Sequence, residues 1–463
     1  MEQHNQNYST VEQIYDLYLR YPHISTDSRN IKQGDVFFAL RGENFDGNNF
    51  ALQALEQGAA AVVSDSVQVF EKYQETERRV SETERRSGET ERRSGETKRR
   101  GIFFFCRDSL QMLQELAKYH RNRLKTTIIG ISGTNGKTTT KELIYSVLSS
   151  AFKTRATAGN LNNHIGVPLT LLSITADTEV AIVEMGANHP GEIAFLCSIA
   201  RPDMGILTNI GTAHIEGFKS RENIITTKKA LFESVKNSHS SKAHLFVNQD
   251  DEALKDYDFE AKTTYSLVNP SDYKGRSIDC SGYASLWIED TEIQSSLVGS
   301  YNCYNILAAY VIGRHFGIAK DQIRKSIEQY KPANQRSQIL KTRSNTLILD
   351  CYNANPSSCR SAIEAFANMK AERKMVFMGA MRELGEVSEQ EHKNCVELLA
   401  GKDFEQVILV GKEYRGLQRE KMRWFETSQE LADTLSAEPK IEGCTILIKG
   451  SRTTRMEIVQ DVL

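Results

Sequence analysis

The sequence lacks a charge excess of either sign: its 58 Lys and Arg residues meet 60 Asp and Glu, a net charge of −2. A protein that grips nucleic acid through its phosphates needs a basic surplus, so a generic nucleic-acid binder is excluded. Also missing is any apolar run approaching the roughly 20 residues needed to span a bilayer. The polar start Met1-Glu2-Gln3-His4-Asn5-Gln6-Asn7 is not expected to be a signal peptide. Paired cysteines are absent as well. The eight cysteines (Cys106, Cys197, Cys280, Cys303, Cys351, Cys359, Cys395 and Cys444) are scattered with no Cys-x-x-Cys spacing. That pattern predicts reduced, mostly buried thiols rather than a disulfide framework or a zinc site. What is there is a chain of 463 residues, 40% hydrophobic, long enough for about three domains at roughly 150 residues each. The expectation is a cytoplasmic multidomain protein, with nothing that demands more than a monomer.

One segment departs from the rest. Residues 75–100 read ETERRVS, ETERRSG, ETERRSG and ETKRR. Val80 is the sole apolar residue, so the segment forms no coiled-coil seam and buries too little to offset the entropy of ordering. A disordered surface insert grown by duplication is expected, in preference to a charged interaction arm. It carries nine Lys/Arg and seven Asp/Glu, leaving 49 against 53 in a mildly acidic remainder.

The flanking pattern is α/β. In a first domain, residues 1–125, apolar runs at 34–40, 59–63 and 101–105 predict buried strands, and Leu110, Leu113, Leu116 and Ala117 give 109–123 helical spacing. A second domain, 126–333, has strand-like runs at 127–132, 180–183, 205–207 and 244–247 and a predicted helix at 141–150. The alternation predicts a parallel sheet with helices on both faces. A third, 334–463, has runs at 346–349, 375–378, 406–410 and 445–448, a second and smaller α/β sheet of Rossmann-like type.

The strongest chemical signal is Gly133-Thr134-Asn135-Gly136-Lys137-Thr138-Thr139, between a predicted strand and a helix. Glycines let backbone N–H groups turn inward around phosphate oxygens, and a helix N-terminus adds a favourable dipole. Lys137 would reach the β/γ-phosphates and Thr138 would ligate Mg²⁺. The usual spacing places a glycine five residues before Gly136, where Ile131 stands; glycines fall instead at 130 and 133. Glu184 ends a buried run, the place where α/β sheets present ligands, and His214 follows a similar run.

These residues, together with Asn160-Leu161-Asn162-Asn163-His164-Ile165-Gly166-Val167-Pro168, Glu184-Met185-Gly186-Ala187-Asn188-His189 and the stretch from Asn209 to His214, resemble the Mur ligase family, the ATP-dependent amino-acid ligases of peptidoglycan synthesis. The resemblance implies a three-domain order of UDP-substrate binding, ATPase and C-terminal ligand domain. It further implies ATP and two Mg²⁺ ions, one between Thr138 and Glu184, the other near His214 and a CO₂-carbamylated lysine. That lysine is expected at Lys228, with adjacent Lys229 as the alternative. Ser28 and Arg29 would meet the UDP group, with Asn160 and Asn163 also on the UDP-substrate side. Asn302 would read the adenine (Asn305 second), Arg336 would meet the nucleotide on closure, and Asp350 would contact ribose. Asp350-Cys351-Tyr352-Asn353-Ala354-Asn355-Pro356 resembles the form of this motif that goes with D-alanyl-D-alanine, with Tyr352, Asn353 and Asn355 lining the cleft for that dipeptide. The implied second substrate is UDP-N-acetylmuramoyl-tripeptide. Two residues depart from the family's pattern: Cys351 and Ala380. A sister Mur or folylpolyglutamate-type ligase adding a single amino acid is the alternative enzyme. A non-enzymatic nucleotide-binding scaffold is the alternative outside catalysis.

Overall fold

The structure is a computed structural model and describes residues 8–86, 101–211, 215–280, 282–333 and 335–463. Two compact units divide the chain: Met1–Lys125 with Leu161–Asp177, and Thr126–Asn160 with Thr178–Leu463. The first is therefore discontinuous, whereas the sequence reading used contiguous ranges.

In the first unit four short strands, Ile24–Ser25, Val36–Phe38, Ala61–Ser64 and Ile102–Phe105, pair in parallel in that order. Phe37, Val62, Phe103 and Phe105 pack with Ala51 and Ala54 of the helix Ala51–Glu56 to form the core. The segment Leu161–Asp177 is held by polar anchors as well as apolar packing. Tyr18 donates its hydroxyl to Leu172 O at 2.7 Å, and a ring nitrogen of buried His120 lies 2.8 Å from Ile174 O. Burial depresses the pKa of His120, so its neutral form suits this site.

The charged repeat corrects an expectation. Helix Val67–Arg86 runs on through residues 75–86, which were expected to be irregular. Its Glu, Arg and Thr residues contain no glycine until Gly88, and Glu75 stands four residues before Arg79, a spacing that supports a helix without any buried seam. The rest of the expected insert, 87–100, lies outside the described residues.

The second unit holds a seven-stranded parallel sheet and a six-stranded one. The order of the larger is Tyr273–Lys274, Lys262–Ser266, His244–Asn248, Met204–Leu207, Thr127–Ser132, Val180–Glu184, Thr154–Ala156. Successive residues of a strand face opposite ways. Ile129 and Ile131 pack with Leu143 and Leu307 of the helices Lys137–Leu148 and Asn302–His315. Gly130 faces the other way, where a Cβ would come 2.7 Å from Leu231 of helix Arg221–Lys236. Helices thus cover both faces, as expected. A three-stranded antiparallel sheet, Arg276–Cys280, Tyr283–Ile288 and Thr291–Val298, was not anticipated. The six-stranded sheet runs Gln338–Lys341, Thr346–Asp350, Thr445–Lys449, Lys374–Gly379, Gln406–Val410, Met422–Phe425. All its pairings are parallel except that of the first strand.

Seven cysteines, all those expected apart from Cys280, are free and buried among the described residues. Burial pushes the thiols of Cys106 and Cys197 up to about 12, so they stay protonated and unreactive at neutral pH.

Candidate nucleotide and ligase site

Strand Thr127–Ser132 ends at the central loop, and the helix begins at Lys137 rather than at the expected Lys141. Gly136 is the N-cap, with φ +78°, and Gly133 has φ +140°. Both conformations suit glycine. A Cβ on Gly133 would lie 2.0 Å from Thr208 Oγ1, and one on Gly136 would lie 2.6 Å from Asn305 Oδ1. The early start brings the helix N-terminus up against the loop, where its unpaired N–H groups favour an anion.

The segment after strand Met204–Leu207 clamps this loop. Asn209 Oδ1 accepts from Asn135 N at 3.1 Å, while Asn209 Nδ2 and Thr208 Oγ1 both donate to Asn135 O, at 3.0 and 2.6 Å. Lys137 curls back, its Nζ donating to Gly133 O at 2.8 Å and Thr134 O at 3.0 Å. Burial lowers the pKa of Lys137 to about 8, with Glu184 opposing that shift and Arg336 adding to it. The amine therefore keeps its proton for the most part at pH 7.

Thr138 donates its hydroxyl to Glu184 Oε1 at 3.1 Å, and both residues are buried. Two hard oxygen donors side by side at a helix N-terminus fit Mg²⁺, which takes few protein carboxylates and completes its octahedron with phosphate and water. Lys228 is 3% exposed, with Nζ 5.7 Å from the Phe218 ring centroid, whereas Lys229 is half-buried. Burial first, then the charge of Lys137, lowers the Lys228 pKa to about 7, against a smaller opposing effect of Glu192. His214 lies outside the described residues.

Asn302 is buried and engaged inside the chain: its Nδ2 donates to Val298 O at 2.7 Å and its Oδ1 accepts from Asn305 Nδ2 at 2.7 Å. Reading a base would require these bonds to open. Arg336 lies over the Tyr352 ring, with Cζ 3.7 Å from the centroid, between Gln335 and Ser337, which both hold positive φ. Asp350 Oδ2 is paired with Lys449 Nζ at 2.5 Å. Asn353 caps its own segment, Oδ1 accepting from Ala354 N at 2.9 Å. Asn355, N-cap of helix Pro356–Asn368, donates through Nδ2 to Asn135 Oδ1 at 2.9 Å, and Asn135 Nδ2 donates to Ser357 Oγ at 2.8 Å. The phosphate loop and the expected dipeptide cleft are thus joined by direct hydrogen bonds.

In the first unit, Ser28 starts a short 3₁₀ turn capped by Asp27, and exposed Arg29 is bound to Asp27 through Nε and Nη2, each at 2.8 Å. The Arg29 bonds hold the Asp27 carboxyl well below the usual carboxylate range. Asn163 Oδ1 accepts from Gly166 N, at the start of helix Gly166–Leu172, at 2.9 Å. Asn160 is exposed and belongs to the second unit. Of the departing residues, Cys351 is buried with Sγ donating to Ile448 O at 3.2 Å, and Ala380 is buried beside Gly411.

Hydrogen bonds and neighbouring charges link Gly133 to Thr139 and their helix with Glu184, Lys228, Asn302 through Asn305, Arg336 and Asn355, whereas Asp350 is paired with Lys449. Sequence reasoning missed Lys141, Thr157 and Ser357. The available signal for Lys141 was its place four residues after Lys137, on the helix face that carries buried Ile144 and Leu148.

A glycine-turn anion loop at the strand ends of a parallel sheet, with a carboxylate on the threonine of that loop, defines a phosphate-binding α/β protein. Residues 20–121 match the profile of the Mur ligase family catalytic domain, 131–313 that of the Mur ligase middle domain, and 335–452 that of the Mur ligase glutamate ligase domain. The chain is 32% identical over 455 residues to the UDP-N-acetylmuramoyl-tripeptide–D-alanyl-D-alanine ligase of Bacillus subtilis, covering 95% of this chain and 93% of that one. A crystal structure of MurF from Acinetobacter baumannii superposes with TM-score 0.77 at 28% identity, covering 95% of this chain and 92% of that one. The ADP complex of MurF ligase from Thermotoga maritima gives 0.77 at 27%, covering 96% and 97%. The chain belongs to the Mur ligase family.

Proposed function

We propose that this chain joins D-alanyl-D-alanine to the terminal carboxylate of UDP-N-acetylmuramoyl-tripeptide at the expense of ATP. The observation that carries the reading is likeness along nearly the whole chain to ligases named for that activity. The tripeptide carboxylate attacks the γ-phosphorus, giving an acyl phosphate and ADP. The dipeptide amine then attacks the acyl carbon, and phosphate departs with the bonding electrons. Lys137 and the loop N–H groups hold and neutralise the phosphates, so catalysis is chiefly positioning and electrostatics. Held by Thr138 and Glu184, Mg²⁺ would neutralise charge on the transferred phosphoryl group.

In this reading Lys228, rather than Lys229, is the carbamylated lysine. A buried amine with pKa about 7 offers the unprotonated form that CO₂ requires, and the carbamate with His214 would hold a second Mg²⁺ that neutralises phosphate charge. Ser28, Arg29, Asn160 and Asn163 serve the UDP-substrate. Asn302 acts through Asn305 at the loop, Arg336 and Asp350 serve the nucleotide, and Tyr352, Asn353 and Asn355 form the dipeptide cleft. The domains are 1–125, 126–333 and 334–463, with Leu161–Asp177 of the second packing in the first compact unit. The protein acts as a cytoplasmic monomer; no helix among the described residues is long and apolar enough to cross a membrane.

Phosphate release, assayed with tripeptide carrying Lys or diaminopimelate at its third position, tests the reading. Turnover with D-alanyl-D-alanine is expected. Turnover confined to single amino acids would sink it.

A further inference from the structure

Lys141 has no exposed surface and no place in the phosphate loop. It lies one turn beyond Lys137 on helix Lys137–Leu148, a spacing that puts both side chains on one face. Their ammonium groups serve different partners. Lys137 Nζ turns back to the loop carbonyls of Gly133 and Thr134. Lys141 Nζ donates to Thr157 O at 2.6 Å, meets Glu142 Oε1 at 3.0 Å, and stands 3.7 Å from Glu184 Oε2. Thr157 also holds the backbone of Glu184, its Oγ1 accepting from Glu184 N at 2.9 Å. The two oxygens of Glu184 are therefore divided: Oε1 faces the Thr138 hydroxyl and Oε2 faces the Lys141 ammonium.

We propose that Lys141 is a positioning residue that, with Thr157, fixes the Glu184 carboxylate so that Oε1 stays aimed at Thr138, where the Mg²⁺ of the bound nucleotide is to be held. The proposal rests on the nucleotide-dependent reading above and extends it to a side chain with no access to substrate. A flexible glutamate could swing either oxygen toward its neighbours. A buried cation beside Oε2 favours one orientation, because turning the carboxylate away would separate opposite charges in a site closed to water, leaving the ammonium to Glu142 and Thr157. A plainer alternative is that Lys141 only neutralises a buried carboxylate and stabilises the fold.

The two differ in what Mg²⁺ does. In the full-length chain, Lys141→Met and Lys141→Gln are compared with the unaltered protein by calorimetric titration with a non-hydrolysable ATP analogue over a series of Mg²⁺ concentrations. Thermal midpoints and the split of kcat against KM for Mg²⁺ are measured alongside. Positioning predicts that both variants need at least about fivefold more Mg²⁺ for half-maximal nucleotide binding. Metal-free affinity should stay within about twofold, with kcat recovering at high Mg²⁺. A lowered thermal midpoint with unchanged Mg²⁺ dependence, or a tightened one, overturns the proposal. Lys141→Gln keeps a donor for Thr157 O and carries the test if the Met variant does not fold. If neither folds, Thr157→Val loosens the same brace without changing charge, and a normal Mg²⁺ requirement there overturns it equally. Failure of the unaltered protein to bind nucleotide in a Mg²⁺-dependent way would overturn the ATP reading itself.

Discussion

Breaking the buried ion pair between Lys449 and Asp350 should cost unequal amounts depending on which partner is removed. Strands Thr346–Asp350 and Thr445–Lys449 pair in parallel with Asp350 directly beside Lys449, so neighbouring strand ends deliver the two charges to one spot, 2.5 Å apart. The Lys449 side chain is 1% exposed and that of Asp350 19%. Burial works against the ammonium, but Asp350 outweighs it and holds the Lys449 pKa above its ordinary value. Removing one partner of a buried pair leaves an uncompensated charge, at about 3–5 kcal/mol. In Asp350→Asn the stranded group is Lys449, with almost no access to water, so the loss should sit in that range. It is limited to about 4.6 kcal/mol at pH 7, since beyond that the amine would release its proton. In Lys449→Met the stranded group is the partly hydrated Asp350, and about 2–3 kcal/mol is expected. With an unfolding entropy of about 2.1 cal/mol/K per residue over a unit of about 320 residues, 3 kcal/mol corresponds to roughly 4–5 °C in Tm. Calorimetric unfolding of both single variants and the double variant at pH 7 without nucleotide closes the cycle. The double variant should lose less than the two singles together. Strict additivity, or a larger loss in Lys449→Met than in Asp350→Asn, refutes the reasoning.

Lys137→Ala, Glu184→Ala and His214→Ala should each lower turnover by on the order of 10² or more in the phosphate-release assay; near-normal turnover strikes that residue from the site. Removing CO₂ and bicarbonate should lower activity of the unaltered protein, and bicarbonate should restore it more readily above pH 7, where Lys228 with its pKa of about 7 is unprotonated. Lys228→Ala should respond to neither treatment, whereas a Lys229→Ala variant that loses the response would transfer the role. His244 lies against His315 with the rings tilted and their centroids 4.3 Å apart, and burial, then the charge of His315, lowers its pKa to about 4. A histidine depressed from an unfolded value of about 6.5 contributes stability above that pH and loses it as pH falls toward 4, because the unfolded chain binds the proton more readily. Chemical denaturation between pH 7 and 4 should therefore show a falling limb that His244→Gln flattens; an unchanged limb would assign the acid sensitivity elsewhere.

The strands were legible because their residues are apolar on both faces. Runs such as Ile128, Ile129 and Ile131 or Val180 to Val183 leave no other environment for themselves. The short paired elements were not. Ile24–Ser25, Thr154–Ala156 and the antiparallel sheet from Arg276 to Val298 owe their state to a neighbour's edge, which no local pattern records. The helix through residues 75–86 was misread for a related reason. Its expected disorder was argued from the absence of burial, but Glu–Arg spacing and freedom from glycine favour a helix extending from a docked first half, Val67 to Tyr73, packed on Phe103 and Phe105.

At the site, residue types told more than residue partners. Lys137, Thr138 and Glu184 could be picked out because phosphate and Mg²⁺ chemistry demand a cation, a hydroxyl and a carboxylate at a strand-to-helix turn. What those groups touch depends on contacts between distant parts of the chain. Asn355 and Ser357 reach Asn135 over more than two hundred residues, and Thr157 reaches both Lys141 and Glu184. The same contacts change how the named residues work. Asn355 was read as a wall of the dipeptide cleft, yet its amide is bonded to the phosphate loop while its Oδ1 caps helix Pro356–Asn368. Asn135 is in turn held through its backbone by Asn209 and Thr208. One asparagine side chain therefore ties the start of helix Pro356–Asn368 to the glycine-rich loop.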